Sequence, residues 1–436
     1  MTLSFKLKLT QTPQLTGLAE KYPNIFPALL ASHSINHKTG RFSILMAQSA
    51  PIEMANNIQQ LNTLLNQFDK KIITTENQVD DELPFHSGWF IYLSYASIIA
   101  WEAALNHIEQ DKNQPLALAI RCQSAIIIDH IKKQSWIVGD SQTKVNQLQQ
   151  LLKGYQQQEI KNENDLTVMA DNVQNYIENV KKAKNYIISG DVYQVNLARK
   201  WQIKPNKKIS AISLYQSLSK HNPSPFAGLL QTPHFSIISS SPERLVKVNG
   251  NTIETRPIAG TRPRSQDNQK DKQLLKELLT NSKEKAEHIM LIDLERNDLG
   301  KVSEVGSVKV DEFMVTESYA KVHHIVSNIK GKLLKNKTYY DVIKATFPGG
   351  TITGCPKIRC MQIIDELENS ARGAYTGSMG YITDDGRMDM NILIRSIILA
   401  NNELSIHAGA GIVFDSLPQK EAEESYFKAE ALINSL

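Results

Sequence analysis

The feature of this sequence that most limits its fold is a series of short apolar runs, each bounded by polar turn residues, along almost the whole chain. Runs of this length and composition predict β-strands. Helical patterns fall between groups of them, and this order favours an α+β fold with large antiparallel sheets over a strictly alternating βαβ fold. The runs occupy 27–32, 41–47, 88–95, 116–129, 135–140, 197–203, 235–240, 244–250, 377–383, 391–400 and 403–412, and the helical patterns about 171–189, 268–299, 338–346, 356–370 and 417–435.

One change in composition indicates how the chain divides. Residues 145–165 are rich in Gln, Lys and Asn, and a helical stretch there gives way to a polar segment typical of a linker. A segment of this kind offers few apolar side chains to a core, so it suits a connection between two units. The sequence therefore predicts an N-terminal region at 1–165 and a second region at 166–436.

Charge and hydropathy exclude several classes of protein. With 49 basic and 45 acidic residues among 436, the formal charge is +4, which gives no electrostatic basis for binding nucleic acid. The longest apolar stretch, 88–101, is shorter than the ~20 residues of a membrane span, and the N-terminus lacks a targeting signal. Cys122, Cys355 and Cys360 match no disulfide or zinc pattern and are interpreted as packing or loop residues. These features indicate a cytoplasmic globular protein.

Two glycine-rich segments have some of the spacing of nucleotide-binding loops. In 348–357, Gly349 and Gly354 are spaced as in a P-loop, but Cys355 follows where a P-loop has Lys. In 407–416, Phe414 stands where a dinucleotide-binding loop has its third Gly. Neither segment therefore predicts a nucleotide site. Glycine still allows close approach of a ligand to the backbone, so both suit a small anion, or are simply turns.

Two helical segments carry glutamates three residues apart. Glu284 and Glu287 lie in a helix that Asn281 or Ser282 can cap, and Glu421 and Glu424 lie in the last helix, where Ser416 and Gln419 have the spacing of a capping box. Glutamates at i and i+3 share one helix face. Two such faces could converge on Mg²⁺, which takes one or two direct carboxylates and keeps several waters. The alternative is that each pair lies on a solvated face.

The order of motifs in the second region resembles that of the chorismate-utilising enzymes, which include anthranilate synthase component I, aminodeoxychorismate synthase component I and the isochorismate and salicylate synthases. The resemblance implies two packed antiparallel β-sheets flanked by helices, as in anthranilate synthase component I. It covers 170–436 densely. The blocks are SPERLVKV (241–248), ETRPIAGTRPR (254–264), AEHIMLIDLERNDLG (286–300), HIVSNIKG (324–331), FPGGTITGCPKIRCMQIIDELE (347–368), RGAYTGSMGYITDDGRMDMNILIRS (372–396) and HAGAGIVFDSLPQKEAEESYFKA (407–429).

The N-terminal half is more similar to the aminobenzoate branch of this family. Residues 26–47 resemble the start of those enzymes, and Ser32 matches a residue of their tryptophan pocket, to which the resemblance also assigns Arg41, Phe42, Pro225 and Phe226. Ser378 and Asn391 look closer to aminodeoxychorismate synthases, since the matching blocks of anthranilate synthases usually carry Ala at both positions.

One position departs from the best-known aminodeoxychorismate synthases. Their PI-x-GT block holds a Lys that attacks chorismate, and here that position is Ala259, as in anthranilate and isochorismate synthases. A methyl group cannot act as a nucleophile. A covalent lysine intermediate is therefore not expected in this protein.

The resemblance implies that chorismate is the substrate and that Mg²⁺ neutralises its ring carboxylate and the charge on the departing hydroxyl. It places Glu287 and Glu424 as direct ligands and Glu284 and Glu421 as water-mediated ones. Glu243 matches the general acid that protonates the hydroxyl, so its pKa should be raised by burial.

The remaining candidate residues are also implied by the resemblance. Arg395 with Tyr375 matches the clamp on the enolpyruvyl carboxylate, and Lys428 a second carboxylate contact. His324 matches a histidine near the ring, although a hydrogen-bonded core histidine is an equal alternative. The N–H groups of Gly409, Ala410 and Gly411 offer further donors, and Thr353 and Gly354 line the same pocket.

The residue at position 194, Gln194, helps to decide whether water or ammonia is the nucleophile. It stands where isochorismate and salicylate synthases carry a Lys base, and a neutral amide cannot deprotonate water. The resemblance therefore favours amination of chorismate at C4, with ammonia from a separate glutamine amidotransferase subunit in a heterodimer and possible binding of L-tryptophan. The alternatives are anthranilate synthase component I, which aminates C2 and releases pyruvate, and a non-catalytic tryptophan-binding protein.

Overall fold

The computed structural model describes residues 4–35, 39–70, 82–157, 166–169, 172–319 and 322–436. The boundary predicted at residue 165 lies just outside the described residues. The described strands are β1 Phe5–Lys8, β2 Ala28–Ala31, β3 Phe42–Gln48, β4 Glu53–Ala55, β5 Gly88–Leu93, β6 Ala117–Asp129, β7 Gln134–Gly139, β8 Leu166–Val168, β9 Gln194–Pro205, β10 Phe226–Gln231, β11 Phe235–Ser241, β12 Arg244–Asn249, β13 Thr252–Thr255, β14 Ile258–Pro263, β15 Lys309–Ser318, β16 Val322–Lys332, β17 Gly354–Cys355, β18 Ser378–Thr383, β19 Arg387–Asn391, β20 Ser396–Ala400 and β21 Glu403–Ile412. The described helices are α1 Leu15–Lys21, α2 Ile58–Asn66, α3 Gln142–Lys153, α4 Val173–Ile188, α5 Ala211–His221, α6 Asn268–Thr280, α7 Ser282–Gly300, α8 Tyr339–Thr346, α9 Lys357–Leu367 and α10 Pro418–Ile433.

The strands form two antiparallel sheets that share the long strand β6. From one edge of β6 the pairing runs through β3, β2, β10, β11, β20 and β21 to β9. From the other it runs through β5, β18, β19, β12 and β13 to β16, which also pairs with β14 and β15. The α+β fold with two packed antiparallel sheets is therefore confirmed, and strands from both sides of residue 165 contribute to each sheet.

Three apolar clusters hold these layers together. The first lies between the sheets and combines side chains of β2, β3 and β10 with side chains of β5 and β18, Met46, Tyr92 and Met379 among them. A second joins one sheet to α1, α3, α5 and α10, and the third joins the other sheet to α2, α8 and α9. Apolar faces on both sides of each sheet explain why so many strands read as nearly continuous apolar runs.

Three local predictions differ from the structure. The helical pattern at 268–299 is two helices, because Asn281 leaves the helical region and its side chain then caps α7 by accepting from the Glu284 N–H at 3.2 Å. The predicted capping box at Ser416 is absent: α10 begins with Pro418, and the Ser416 hydroxyl accepts from the Val413 N–H instead. The run 391–400 is not one strand, because β19 ends at Asn391 and β20 begins only at Ser396.

Candidate active site

Glu243 lies in the tight connection between β11 and β12, and its backbone is fixed on both sides. Its N–H donates to the Ser241 hydroxyl at 3.2 Å, and its carbonyl accepts from the Ile392 N–H at 3.0 Å. The side chain is 5% exposed, and its Oε1 atom has no hydrogen-bond partner among the described residues.

The environment of this carboxyl suits a proton donor. Burial raises the pKa of Glu243 to about 7, and Thr351, the Ile258 backbone and Arg395 oppose that rise only in part. The raised pKa that the sequence predicted is confirmed. A carboxyl that holds its proton near neutral pH has the property a general acid needs.

Arg395 is presented by the interruption between β19 and β20. Its φ of +51° lies in the left-handed region, which non-glycine residues rarely adopt, and this conformation explains why 391–400 is not a single strand. Its carbonyl accepts from the Ser240 N–H at 3.1 Å, which holds the turn beside β11. Backbone strain of this kind concentrates at functional sites.

The guanidinium of Arg395 has no ion-pair partner within the described parts of the chain. Burial lowers its pKa, and the nearby Glu243 carboxylate acts in the opposite direction. A partly buried cation without a carboxylate partner is costly unless a ligand supplies the anion. The arrangement therefore fits a bound carboxylate, the role that the sequence assigned to Arg395.

His324 lies on β16, in the wall that faces Arg395. It is buried, and its Nδ1 lies 2.9 Å from the Thr261 hydroxyl on β14. Burial first, and then the charge of Arg395, lower its pKa to about 3. His324 is therefore neutral at physiological pH and can offer only a neutral hydrogen bond, which is compatible with either interpretation of this residue.

Gln194 begins β9 at the junction with β17 and β21. Gly354 approaches it closely: the φ of Gly354 is +128°, and a Cβ there would lie 2.1 Å from the Gln194 carbonyl oxygen. A Cβ on Gly411 would lie 2.2 Å from the Gln194 side-chain nitrogen, so the amide rests on the β21 backbone. The Gln194 Oε1 is buried without a partner among the described residues. The close contacts explain why glycine occupies both positions.

Thr353 and Ala410 shape the same corner without offering side-chain donors to a ligand. Thr353 is fully buried, its hydroxyl donates to the Gly349 carbonyl at 2.9 Å, and its own carbonyl accepts from the Asn196 N–H at 2.9 Å. Ala410 pairs with Leu197 inside the sheet. These residues position the backbone of the loop and of β21.

The Tyr375 ring contacts one aromatic ring and one guanidinium group. It stacks on His407 with centroids 5.3 Å apart and planes 13° from parallel, and the Arg372 guanidinium lies 5.5 Å from its centroid. Burial raises the pKa of Tyr375 to about 12, so its hydroxyl keeps its proton and can donate. Lys428, from α10, donates to the Gly409 carbonyl at 2.9 Å and contacts Glu424 at 2.8 Å.

The four glutamates predicted to bind metal lie in different surroundings. Glu421 is buried and Glu287 partly buried, whereas the Glu424 side chain is 53% exposed. Glu284 Oε1 pairs with Arg262 at 2.7 Å, while its Oε2 is buried against Gly260 without a hydrogen-bond partner among the described residues. Among the residues described, no group of three or more His, Cys, Asp or Glu side chains is arranged to hold a metal ion.

The chemistry of these donors can still be tested against Mg²⁺. The ion takes one or two carboxylates directly and completes its shell with water, so a group of three side chains is not required. The unsatisfied oxygen of Glu284 is the kind of atom that a cation would complete. The donor set therefore fits Mg²⁺, and the assignment of ligands stays a prediction.

Sequence reasoning missed one buried acid beside this site. Glu295 on α7 is buried, and its Oε2 lies 2.5 Å from the Thr255 hydroxyl at the end of β13. Burial raises its pKa to about 8, and the charges of Glu243 and Asp298 act in the same direction. The available signal was the spacing of Glu295 from Glu284, eleven residues or three turns along one helix face.

The five residues predicted to form a tryptophan pocket all line one cavity of about 1120 Å³. Ser32 ties its walls together, since its hydroxyl lies 2.9 Å from the Phe42 carbonyl and 3.0 Å from the Pro225 carbonyl. Arg41 lies 4.6 Å from the Phe42 ring centroid, and Arg244 lies 4.8 Å from that of Phe226. The cavity is therefore aromatic at one end and charged nearby, and its ligand stays a prediction.

Comparison with known proteins defines the class to which this fold and site belong. The family described as chorismate binding enzyme matches residues 29–434, and the chain belongs to that family. No helix among the described residues combines the length and apolar character needed to cross a membrane.

Individual relatives agree with this family assignment. The chain is 42% identical over 405 residues to an anthranilate synthase component I-like protein of Synechocystis sp. (strain ATCC 27184 / PCC 6803 / Kazusa), covering 91% of this chain and 83% of the relative. It is 40% identical over 388 residues to aminodeoxychorismate synthase component 1 of Bacillus subtilis (strain 168), covering 85% and 82%. The crystal structure of anthranilate synthase component I from Streptococcus pneumoniae TIGR4 superposes with a TM-score of 0.78 at 31% identity, covering 91% of this chain and 93% of that one.

Proposed function

We propose that this protein is the chorismate-aminating component of an aminodeoxychorismate synthase. It would replace the C4 hydroxyl of chorismate with an amino group, giving 4-amino-4-deoxychorismate for p-aminobenzoate and folate synthesis. A glutamine amidotransferase subunit would supply the ammonia. The observation that carries the proposal is the buried Glu243 carboxyl, with a pKa of about 7, facing the unpaired guanidinium of Arg395.

The residues divide the reaction between them. Arg395 binds the enolpyruvyl carboxylate, and the Tyr375 hydroxyl and Lys428 add further donors to the substrate carboxylates. Glu243 gives its proton to the C4 oxygen as the C–O bond breaks, so that the oxygen leaves as water. Ammonia forms the C–N bond and loses one proton, which restores the acid form of Glu243.

Mg²⁺ would be held by Glu287 and Glu424 directly and by Glu284 and Glu421 through water. When bound, it supplies positive charge opposite the ring carboxylate and the departing hydroxyl. The buried, unpartnered oxygen of Glu284 supports a cation at this place.

Gln194 supports ammonia as the nucleophile. Its amide cannot take a proton from water, and its buried Oε1 has no partner among the described residues. A free acceptor at this place suits a nucleophile that carries N–H donors. The absence of a base at Gln194 also disfavours hydration of chorismate to isochorismate.

The choice of C4 over C2 rests on Ser378 and Asn391. The Ser378 hydroxyl donates to the Asn391 carbonyl at 2.5 Å, and the Asn391 side chain accepts from the Met379 N–H at 3.0 Å and donates to the Phe226 carbonyl at 3.0 Å. These polar contacts join β18, β19 and β10 where anthranilate synthases usually have two alanines. Ala259, partly buried on β14, is the observation that favours the second candidate, anthranilate synthase component I.

One assay separates the two candidates. The purified protein is incubated with chorismate, ammonium and Mg²⁺, and the product is followed by fluorescence. The proposal expects a non-fluorescent product that an added lyase converts to p-aminobenzoate. Fluorescent anthranilate as the product would instead support the second candidate, anthranilate synthase component I. If no chorismate is consumed, the result would favour a binding protein without catalysis.

A further inference from the structure

We propose that Arg372 is a positioning residue for the carboxylate clamp, because it holds Tyr375 in the place from which the Tyr375 hydroxyl binds the substrate. Arg372 itself touches no substrate in this scheme. The inference rests on the proposed binding of a chorismate carboxylate by Tyr375 and Arg395, and it does not depend on which ring carbon is aminated. It assigns a function to a buried ion pair that the proposed reaction does not use.

Arg372 and Glu368 form this ion pair just after the end of α9. The Arg372 side chain is 2% exposed and the Glu368 side chain 8%, and two hydrogen bonds join them, from Nε to Oε2 at 2.8 Å and from Nη2 to Oε1 at 2.6 Å. Both charges lose their solvation on burial, so a pair of this kind adds little to the stability of a fold. It does fix a geometry, because a planar guanidinium meets a carboxylate in a defined orientation.

The other donors of the guanidinium fasten it to two backbone segments that border the active site. Nη2 donates to the Asn196 carbonyl on β9 at 2.7 Å, and Nη1 donates to the Ile352 carbonyl, in the loop before β17, at 3.1 Å. Glu368 Oε1 also accepts from the Ala198 N–H at 2.8 Å, so both members of the pair are bound to β9. The pair therefore cannot shift as a unit without breaking these backbone contacts.

From this anchor Arg372 fixes the turn that carries Tyr375. The Tyr375 N–H donates to the Arg372 carbonyl at 3.0 Å, and the guanidinium lies 5.5 Å from the Tyr375 ring centroid. Nη1 also donates to the Thr376 hydroxyl at 3.3 Å, and that hydroxyl donates to the Tyr375 carbonyl at 2.5 Å. All five donors of the arginine side chain are then used. The same residue thus holds both the backbone and the ring of Tyr375.

The turn is joined in addition to the segment that presents Arg395. The Thr376 N–H donates to the Leu393 carbonyl at 2.8 Å, and the Leu393 N–H donates to the Gly377 carbonyl at 2.8 Å. Thr376 has a φ of +61°, which a β-branched residue adopts only where its surroundings hold it. The two residues of the clamp therefore share one framework, and Arg372 holds the part of it that carries the tyrosine.

The direct test is a double-mutant cycle on chorismate. R372K keeps the charge but cannot supply the paired bonds to Glu368 together with both backbone contacts, and Y375F removes only the hydroxyl. We expect each single variant to raise KM for chorismate by about tenfold, with kcat within about threefold of wild type. When Y375F is already present, R372K should raise KM by less than about twofold, because the group that it positions is gone. Full additivity, or an unchanged KM in R372K, would overturn the inference.

R121K is the matched control. Arg121 also pairs with a carboxylate through two hydrogen bonds, to Asp384 at 2.8 and 2.7 Å, and lies 5.6 Å from the Trp89 ring centroid, but it is on β6, outside the candidate active site. R121K and R372K should both lower the temperature of thermal unfolding, whereas only R372K should change KM. An equal rise of KM in both variants would indicate a general loosening of the fold and would contradict a positioning role.

The double variant R372M/E368M guards against misfolding of R372K. Methionines replace both charges, so no uncompensated charge is left buried and the protein should fold. The bonds that position the turn are lost all the same, so KM for chorismate should still rise by about tenfold. A wild-type KM in this folded variant would count against the role of Arg372.

Calorimetric titration with chorismate makes the failures of the two proposals distinguishable. If the wild-type protein does not bind chorismate, the proposed function is wrong and this inference falls with it. If wild type and R372K bind chorismate equally well, only the positioning role of Arg372 is lost.

Discussion

Glu243 and Glu295 have the same side chain as Glu424 on α10, but they lie in the opposite environment. Glu243 and Glu295 are buried and hold their protons near neutral pH. Glu424, on α10, is 53% exposed and lies 2.8 Å from Lys428. Burial thus prepares Glu243 and Glu295 to hold protons, whereas Glu424 lies in solvent beside a cation.

The largest expected effect is the loss of catalysis when the buried Glu243 is changed. E243Q removes the proton but keeps the shape, so kcat should fall by about 10³-fold while chorismate binding is retained. Turnover is measured by loss of chorismate absorbance and binding by calorimetry. E277Q, an exposed change on α6, serves as the control. Activity within about tenfold of wild type would exclude Glu243 as the acid.

Arg395 should show the next largest effect. Lysine keeps the charge but loses the planar pair of donors, so R395K should weaken the binding of chorismate by about 10- to 100-fold. The measurement is KM for chorismate, with R296K on the exposed face of α7 as the control. An unchanged KM would show that the carboxylate binds elsewhere.

The proposed role of the exposed Glu424 in binding Mg²⁺ is tested by varying the metal concentration. Chelation should abolish turnover, and E424Q should raise the Mg²⁺ concentration needed for half-maximal activity by about tenfold, because a proposed direct ligand loses its charge. E423Q changes the neighbouring exposed glutamate and should leave that concentration unchanged. Equal effects of both variants would point to general electrostatics rather than ligation.

The free energy of unfolding should depend on pH through the buried Glu243 carboxyl. The folded pKa of Glu243, about 7, is above its unfolded value of 4.5, so its contribution is complete below 4.5 and is lost as pH rises through 7. E243Q avoids this loss and should gain about 1–3 kcal/mol relative to wild type between pH 4.5 and 8. Denaturant unfolding at both pH values measures the gain.

The smallest expected effect is on the stability of the cavity that Ser32 lines. S32A removes the single hydroxyl donor that lies between the Phe42 and Pro225 carbonyls, which should cost about 1 kcal/mol and weaken any stabilisation by tryptophan. Thermal unfolding with and without L-tryptophan measures both. S49A, which also removes a hydroxyl bonded to a carbonyl, is the control outside the cavity. Full stabilisation of S32A by tryptophan would place its site elsewhere.

Sequence patterns predicted most elements because strands and helices depend on local composition. These patterns failed where the backbone conformation of one residue ends a helix or strand, as at Asn281 and Arg395. The left-handed φ of Arg395, for example, leaves no trace in the apolar pattern. The raised pKa of Glu243 followed from its expected role. The pairing of Glu295 with Thr255 could not be predicted, because it depends on how α7 packs on β13.

The pairing of strands that lie far apart in the sequence has a consequence for synthesis of the protein. β5 pairs with β18, and β9 pairs with β21 near the far end of the chain. A ribosome therefore releases the earlier strands long before their partners exist, with open edges that can join to other chains. Chaperones that shield nascent strands should accordingly raise the yield of this protein more than that of a helical bundle of similar length.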